Sequence, residues 1–320
     1  MAAAGVSQLE LVELKRLSTR DVDALLTEEA ATWNALLKWD FEPSAALVRQ
    51  YIDLEALDGF ALMGPAGAVG YCYYVFEDRK AVIGDLYVRR AYAAPEREDR
   101  LLAAVLASLR RTAAVDRLEA QLMLLQGPLQ RGMPLQERLR IFPRALLLAD
   151  LAHVARLPAM ETGLCFTEWS ADSCSETARL ISHVYRGHVD AEINDQYRSI
   201  PGAQRFVQNI VHYPGCGAFH QQASLAAWSP GGTLEGICLA SRVAPDVGHI
   251  TQICVSARVR RRGVGYELLR RSLTALAQGG FVQASLTVTL SNESALRLYR
   301  RMGFREIRRF GAYVWEVSAA

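Results

Sequence analysis

At 320 residues, 51% of them apolar and 22% charged, the chain has material for two ordinary domains, each with its own buried core. A net charge of +2 argues against a dedicated nucleic-acid binder, and no apolar run approaches the roughly 20 residues that span a bilayer. The six cysteines form no Cys-x-x-Cys pair and no basic-then-apolar leader opens the chain, so the expectation is a soluble cytoplasmic protein with reduced thiols. Leu9–Leu14 predicts a first strand, after which Ser18 or Thr19 caps a helix running towards Leu37, and Ala45–Leu54 restarts a short one. Gly59–Met63, the turn Gly64-Pro65-Ala66-Gly67 and Ala68–Phe76 read as a hairpin. A strand at Ala81–Val88, a helix at Leu101–Ala114 and a strand at Glu119–Leu125 follow. That order recurs beyond residue 160. Phe166–Trp169 is strand-like, Ser173 caps a helix through Val184, Gly202–Val211 is helical, and Ala218–Trp228 turns at Ser229–Gly232 into Leu234–Val243. The repetition predicts two copies of one α+β (mixed α/β) architecture, joined between His153 and Gly163.

The stretch His249–Leu269 carries the chemistry. Ile250, Ile253, Cys254 and Val255 read as a strand that must end near Val255, because Arg258, Arg260, Arg261 and Arg262 follow. Gly263 and Gly265 then open a helix whose apolar face is Leu269, Leu273 and Leu276, stopped by Gly279 and Gly280. Unpaired N–H groups at a helix N-terminus, glycines that permit close approach and three arginines make an anion seat suited to a pyrophosphate. Downstream, Val282–Leu290 alternates as a strand and leads to Asn292 and a helix from Ser294 to Met302, closed by Gly303-Phe304.

Arg260-Arg261-Arg262-Gly263-Val264-Gly265 resembles the Arg/Gln-x-x-Gly-x-Gly/Ala loop of the GNAT superfamily, the acetyl-CoA-dependent N-acyltransferases. Asn292 to Phe304 is similar to that family's Asn-x-x-Ala-x-x-x-Tyr-x-x-x-Gly-Phe segment. The resemblance implies two tandem GNAT-like domains, each a mostly antiparallel twisted sheet flanked by helices. It also implies acetyl-CoA as co-substrate, an amine acceptor that attacks the thioester directly, and no metal. Ile253, Cys254 and Val255 would serve the pantetheine arm, and Arg260, Arg261, Arg262, Gly263, Val264, Gly265 and Tyr266 the pyrophosphate. Tyr299 is the candidate acid for the departing thiolate. Asn292 would orient the cofactor or cap its helix. His249 stands where some members carry a general-base glutamate, and would act as base or be a solvated edge residue.

The acceptor wall maps by resemblance to Tyr185–Tyr197, where Asp190, Glu192 and Tyr197 would bind a cationic amine unless the segment is a solvated loop. Aligning Val88 with Val255 sets Ala93, Glu96 and Glu98 against Arg260, Gly263 and Gly265, and Gln126–Phe142 holds neither Asn nor Tyr. Residues 1–157 therefore read as a degenerate copy without cofactor, and 158–320 as the acetyl-CoA-binding domain. His183 and His188, five apart, share no helix face, so no metal site is expected. Two rival readings are a non-catalytic acyl-CoA-binding module and, against the charge balance, a nucleic-acid-associated factor using Arg258–Arg262. A homodimer remains one option for self-association.

Overall fold

The computed structural model describes residues 9–112, 115–213 and 215–317. Two compact units emerge: Met1–Ala35 with Phe41–Pro143 and Phe310–Ala320, and Leu36–Asp40 with Arg144–Arg309.

In the first unit, β1 (Glu10–Glu13) precedes two helices, α1 (Thr19–Leu37) and α2 (Glu42–Asp53). A meander follows: β2 (Asp58–Gly64), β3 (Gly67–Glu77) and β4 (Lys80–Val88), each antiparallel to its predecessor. The predicted turn between β2 and β3 needs its glycine: Gly67 sits at φ 112°, and a Cβ there would lie 2.8 Å from the Asp21 carbonyl. Helix α3 (Pro95–Arg110) then buries Leu101, Leu102, Val105, Leu106 and Leu109 along one face. Each such burial contributes about 1.5–3 kcal/mol. It begins six residues before the predicted start, because Pro95 suits a first helical turn; the predicted end, Ala114, lies outside the described residues. Strand β5 (Arg117–Leu122) returns parallel to β4.

The second unit repeats this frame. β7 (Cys165–Glu168), helices α4 (Cys174–Val184), α5 (Asp190–Ile193) and α6 (Ile200–His212), and strands β8 (Ala218–Phe219), β9 (Leu225–Trp228), β10 (Leu234–Ala244) and β11 (Val247–Val255) follow in order. Then come α7 (Val264–Gln278), β12 (Gln283–Thr289) and α8 (Glu293–Arg301). The strand expected over Ala218–Trp228 is broken by a 3-10 turn at Gln221–Ala223, where the His220 ring accepts the Ala223 N–H. Antiparallel pairings link β7 to β9, β9 to β10 and β10 to β11, and β12 runs parallel to β11. Helix α7 packs Val264, Leu268, Leu269, Leu273 and Leu276 into one core, and α4 and α6 cover another on the opposite side of the strands.

Two strands escaped the sequence reading: β6 (Leu139–Asp150) and β13 (Arg305–Glu316). They also displace the expected division at 157/158. Arg144–Asp150 of β6 pairs with β12 and belongs to the second unit, whereas Gly311–Glu316 of β13 pairs with β5 and belongs to the first. Strand hydrogen bonding, rather than sequence order, sets the units.

Candidate functional site

Only four parallel pairs, Val247–Ile250 with Gln283–Leu286, join β11 to β12. Beyond them β11 continues to Val255 along β10, and β12 to Thr289 along β6. The strands part, and one edge of β11 is left open. The Ser256 N–H donates to the Glu235 carbonyl in β10 (2.7 Å). Because main-chain groups alternate sides along a strand, those of Cys254 turn to β10, and those of Ile253 and Val255 turn to the open side. Of the three residues expected there, Ile253 and Val255 present main-chain groups. Cys254 does not, and its thiol is buried among Leu180, Ile181 and Tyr185.

After β11 the chain makes a 3-10 turn (Ala257–Val259) and a four-residue loop, Arg260–Gly263. Arg261 (φ 61°) and Gly263 (φ 78°) are both left-handed, which costs a non-glycine residue such as Arg261 on the order of 1 kcal/mol and is the kind of strain held at ligand clamps. Arg260 Nε donates to the Val255 carbonyl (3.3 Å), on the open edge. Arg260, Arg261 and Arg262 are exposed, and among the described residues Arg261 and Arg262 form no ion pair. Gly263 caps α7 with no side-chain acceptor, so the first-turn N–H groups face outward without a cap. At Gly265 a Cβ would make only ordinary contact, 3.5 Å from Val255, but at Gly263 it would meet Met160 at 2.7 Å.

Met160 belongs to a strap that the sequence reading took only as a join. The Tyr266 hydroxyl donates to the Pro158 carbonyl (2.9 Å), and the Met160 N–H donates to Glu267 (3.1 Å). Burial pushes the Glu267 carboxyl up, but hydrogen bonds from Arg270, the Met160 main chain and Arg271 outweigh it and bring it down to about 2. Tyr266 and Val264 are thus held by the strap and the core, and they face the loop through the main chain alone.

Tyr299, on α8, is buried with its ring edge-on to Phe304 (6.0 Å). Its hydroxyl has no hydrogen-bond partner among the described residues. Burial pushes the phenol well above its ordinary value, Cys238 and Asp190 push it further, and Arg144 opposes them. The group stays protonated. Asn292 accepts the Ala295 N–H (3.2 Å) and the Ser294 hydroxyl (3.1 Å), so the capping role is filled.

His249 is neither solvated nor placed as a base. It is 5% exposed, with Nδ1 2.8 Å from the Ser285 hydroxyl and its ring edge against Trp39 (5.0 Å). Burial, with Arg144 nearby, lowers its pKa to about 3. A ring held neutral this strongly cannot take a proton from an ammonium group.

Tyr185–Tyr197 is more ordered than a polar loop. Tyr185 and Tyr197 stack at 4.5 Å, and Gln252 of β11 bonds both hydroxyls (2.9 and 3.4 Å). Asp190 accepts from Thr289, the last residue of β12 (2.5 Å). The segment is therefore latched to both strands that part. Asp190 and Tyr197 are brought together with Tyr299 and Arg144, whose charges and rings influence one another. Glu192 is not: it pairs with Arg198 (3.4 Å) with its side chain 43% exposed. A separate cleft of about 510 Å³, lined by Arg179, His183, Thr233, Ser256 and Arg258 among others, opens beside α4 and contains none of the expected site residues. Among the described residues no helix is long and apolar enough to cross a membrane, and no group of three or more His, Cys, Asp or Glu side chains could hold a metal ion.

The first unit opens in the same way and fills differently. Parallel pairing of β4 with β5 ends at Ile83 and Ala120 while β4 runs on to Val88. Only Ala93 and Ala94 separate its 3-10 turn (Arg90–Tyr92) from α3. Glu98, expected to face a ligand, turns inward instead: 2% exposed, it receives the Gln126 N–H (3.0 Å) and Arg131 (2.8 Å). Burial raises its carboxyl to about 7 even so. Arg131 also pairs with Asp99 (2.8 Å), leaving Glu96 alone of the three exposed.

An opened parallel edge running into an arginine–glycine loop at a helix N-terminus is the arrangement of the GNAT acetyltransferases. Residues 192–304 match the model of the Acetyltransferase (GNAT) family. The fold of the whole chain resembles a GCN5-related N-acetyltransferase from Sphaerobacter thermophilus, with TM-score 0.69 and 16% identity over 98% of this chain and 97% of that one. It also resembles a tandem GNAT protein from the clavulanic acid biosynthesis pathway, with TM-score 0.60 and 17% identity over 98% and 99%. By sequence, 73 residues (22% of this chain) are 34% identical to N-alpha-acetyltransferase 30 of Xenopus laevis, and 62 residues (19%) are 36% identical to an N-alpha-acetyltransferase of Sulfurisphaera tokodaii. These matches span 27% and 37% of the two relatives' lengths.

Proposed function

We propose that the second unit binds one acetyl-CoA per chain and transfers its acetyl group to a primary amine, while the first unit binds none. The opened edge of β11, ending in the Arg260–Gly263 loop, carries this reading. Main-chain groups of Ile253 and Val255 would hold the pantetheine arm. The first N–H groups of α7, with Arg260, Arg261 and Arg262, would take the pyrophosphate. The residues fit such a ligand: among the described residues the strand edge is open, Arg261 and Arg262 lack ion-pair partners, and the Tyr299 hydroxyl is unshared. The bound thioester supplies the electrophilic carbonyl carbon. Tyr299 donates its proton to the departing thiolate, as a phenol kept protonated by burial can. Asp190 faces the positive charge of the acceptor, with the stacked Tyr185 and Tyr197 as its wall.

The relatives' names make α-amines the first acceptors to test, followed by other small cationic amines. The deciding experiment measures free thiol released from acetyl-CoA across such a panel. Release that depends on an amine supports the transfer. Binding without release for any amine would leave a non-catalytic acyl-CoA module, and no binding would overturn the assignment.

A further inference from the structure

A primary amine is mostly protonated near neutral pH, and it must shed a proton before its lone pair can attack. With His249 buried and kept neutral, another group must receive that proton. Among the described residues, the imidazole that lies against Asp190 is that of His188, in the connection between α4 and α5. Its Nδ1 lies 3.6 Å from Asp190 Oδ2 and accepts the Asp190 main-chain N–H (3.2 Å). Its ring stands edge-on to Tyr185 (5.3 Å, 87°), which fixes its plane. The side chain is 31% exposed, so the ring reaches solvent while its Nδ1 edge lies near the carboxylate.

Resting on the acyltransfer reading above, we propose that Asp190 and His188 form the proton exit of the acceptor site, Asp190 taking the proton from the ammonium group and His188 passing it to solvent. The balance is complete. The N–H bond of the ammonium breaks, and its proton moves to a carboxylate oxygen and on to the imidazole, which returns it to water. The freed lone pair forms the new C–N bond, the C–S bond breaks, the nitrogen gives its second proton to water as the amide forms, and the thiolate takes the proton of Tyr299, which recovers one from water.

The geometry favours this direction. Oδ1 of Asp190 is fixed by the Thr289 hydroxyl (2.5 Å) and Oδ2 faces His188, so one carboxylate spans from the mouth of the parted strands to the outer ring. Asp190 acts on three phenols, Tyr185 at the end of α4, Tyr197 before α6 and Tyr299 on α8, and Cys254 on β11 and Arg144 on β6 act on the same group of phenols. The phenols and the thiol among them are pushed upward by burial and stay protonated, so none competes for the proton. His188 acts through Asp190 and is a positioning and relay residue.

The test uses the full-length protein with acetyl-CoA and two probe amines: glycinamide, largely protonated at neutral pH, and hydroxylamine, largely unprotonated. His188→Gln should lower the glycinamide-to-hydroxylamine rate ratio by about 100-fold, the scale of a general base. The rise of the glycinamide rate with pH should move to higher pH, and added imidazole should restore much of the loss in His188→Gly. Asp190→Asn should lower the same ratio without imidazole rescue. Calorimetric affinity for acetyl-CoA, unchanged in all three variants, shows that each is folded. An unaltered ratio and pH profile in folded His188→Gln would overturn the proton exit while leaving acyl transfer standing. No thiol release from either amine by the wild-type protein would remove acyl transfer itself, and this inference with it.

Discussion

Both units set a hairpin beside a parallel strand for four residues and then let the strands part, at Ile83 and Ala120 in one and at Ile250 and Leu286 in the other. What enters the opening differs. In the second unit a four-residue loop with two left-handed residues leads to an uncapped helix start, and exposed arginines surround it. In the first, the loop shrinks to Ala93-Ala94, and Glu98, Asp99 and Arg131 close on one another at the start of α3. The opening belongs to the topology, whereas the ligand seat belongs to a few residues at one helix start. A frame can be inherited without its chemistry.

The contrast breaks most sharply at Gly263. Gly263→Asp forces a side chain into a left-handed position against Met160 and adds an anion at the seat, so acetyl-CoA affinity should fall on the order of 100-fold or more. Glu96→Ala should change nothing. Calorimetry reads both, with a wild-type stoichiometry near one; a second equivalent bound in the first unit would erase the distinction. Next in size, Tyr299→Phe should lower kcat by about 100-fold while leaving acetyl-CoA affinity unchanged, because the phenol acts only as the thiolate leaves. A matching loss of affinity would make Tyr299 a binding residue instead.

Buried carboxylates sharpen the comparison through pH. Glu267 in the second unit is lowered from 4.5 to about 2, so its contribution is present above pH 4.5 and lost as pH falls through about 2. Asp85 in the first unit shares a buried site with Glu29. Burial raises it from 3.8 to about 6, and its contribution is full below pH 3.8 and lost as pH rises through about 6. Denaturant melts across this range should show Glu267→Gln flattening the acid side and Asp85→Asn the side above pH 4. A slope unchanged by either variant would refute the corresponding assignment. The smallest effect is expected at Asn292, where Ala substitution removes a helix cap and should cost about 1 kcal/mol of stability without weakening acetyl-CoA binding.

Much of this was legible in the sequence, for identifiable reasons. The β11–loop–α7 segment announces itself by an abrupt change from β-branched residues to arginines and glycines, and the turn at Gly64–Gly67 by its composition. β6 was hidden because Pro143 interrupts it and Ala145–Ala149 is continuously apolar, with no alternation to read. β13 starts with three arginines and a glutamate before Phe310, which masks its buried half. Burial of His249 was invisible as well, since Trp39 and Ser285, the groups that enclose it, are far off in sequence. The latch of Asp190 onto Thr289 joins positions 99 apart and has no local signature.

The exchange of β6 and β13 also sets a clock. During synthesis, Leu122 must wait for its partner Gly311, 189 positions further on, before the sheet edge of the first unit is covered. At ribosomal rates of about 5–20 residues per second that is roughly 10–40 seconds with one edge of β5 uncovered on a nascent chain. Strand β6, made soon after β5, is not its antiparallel partner and is destined for β12 instead. The first unit cannot complete its sheet until β13 has emerged, and the waiting edge of β5 is exposed in the meantime to chaperones, proteases and neighbouring strands.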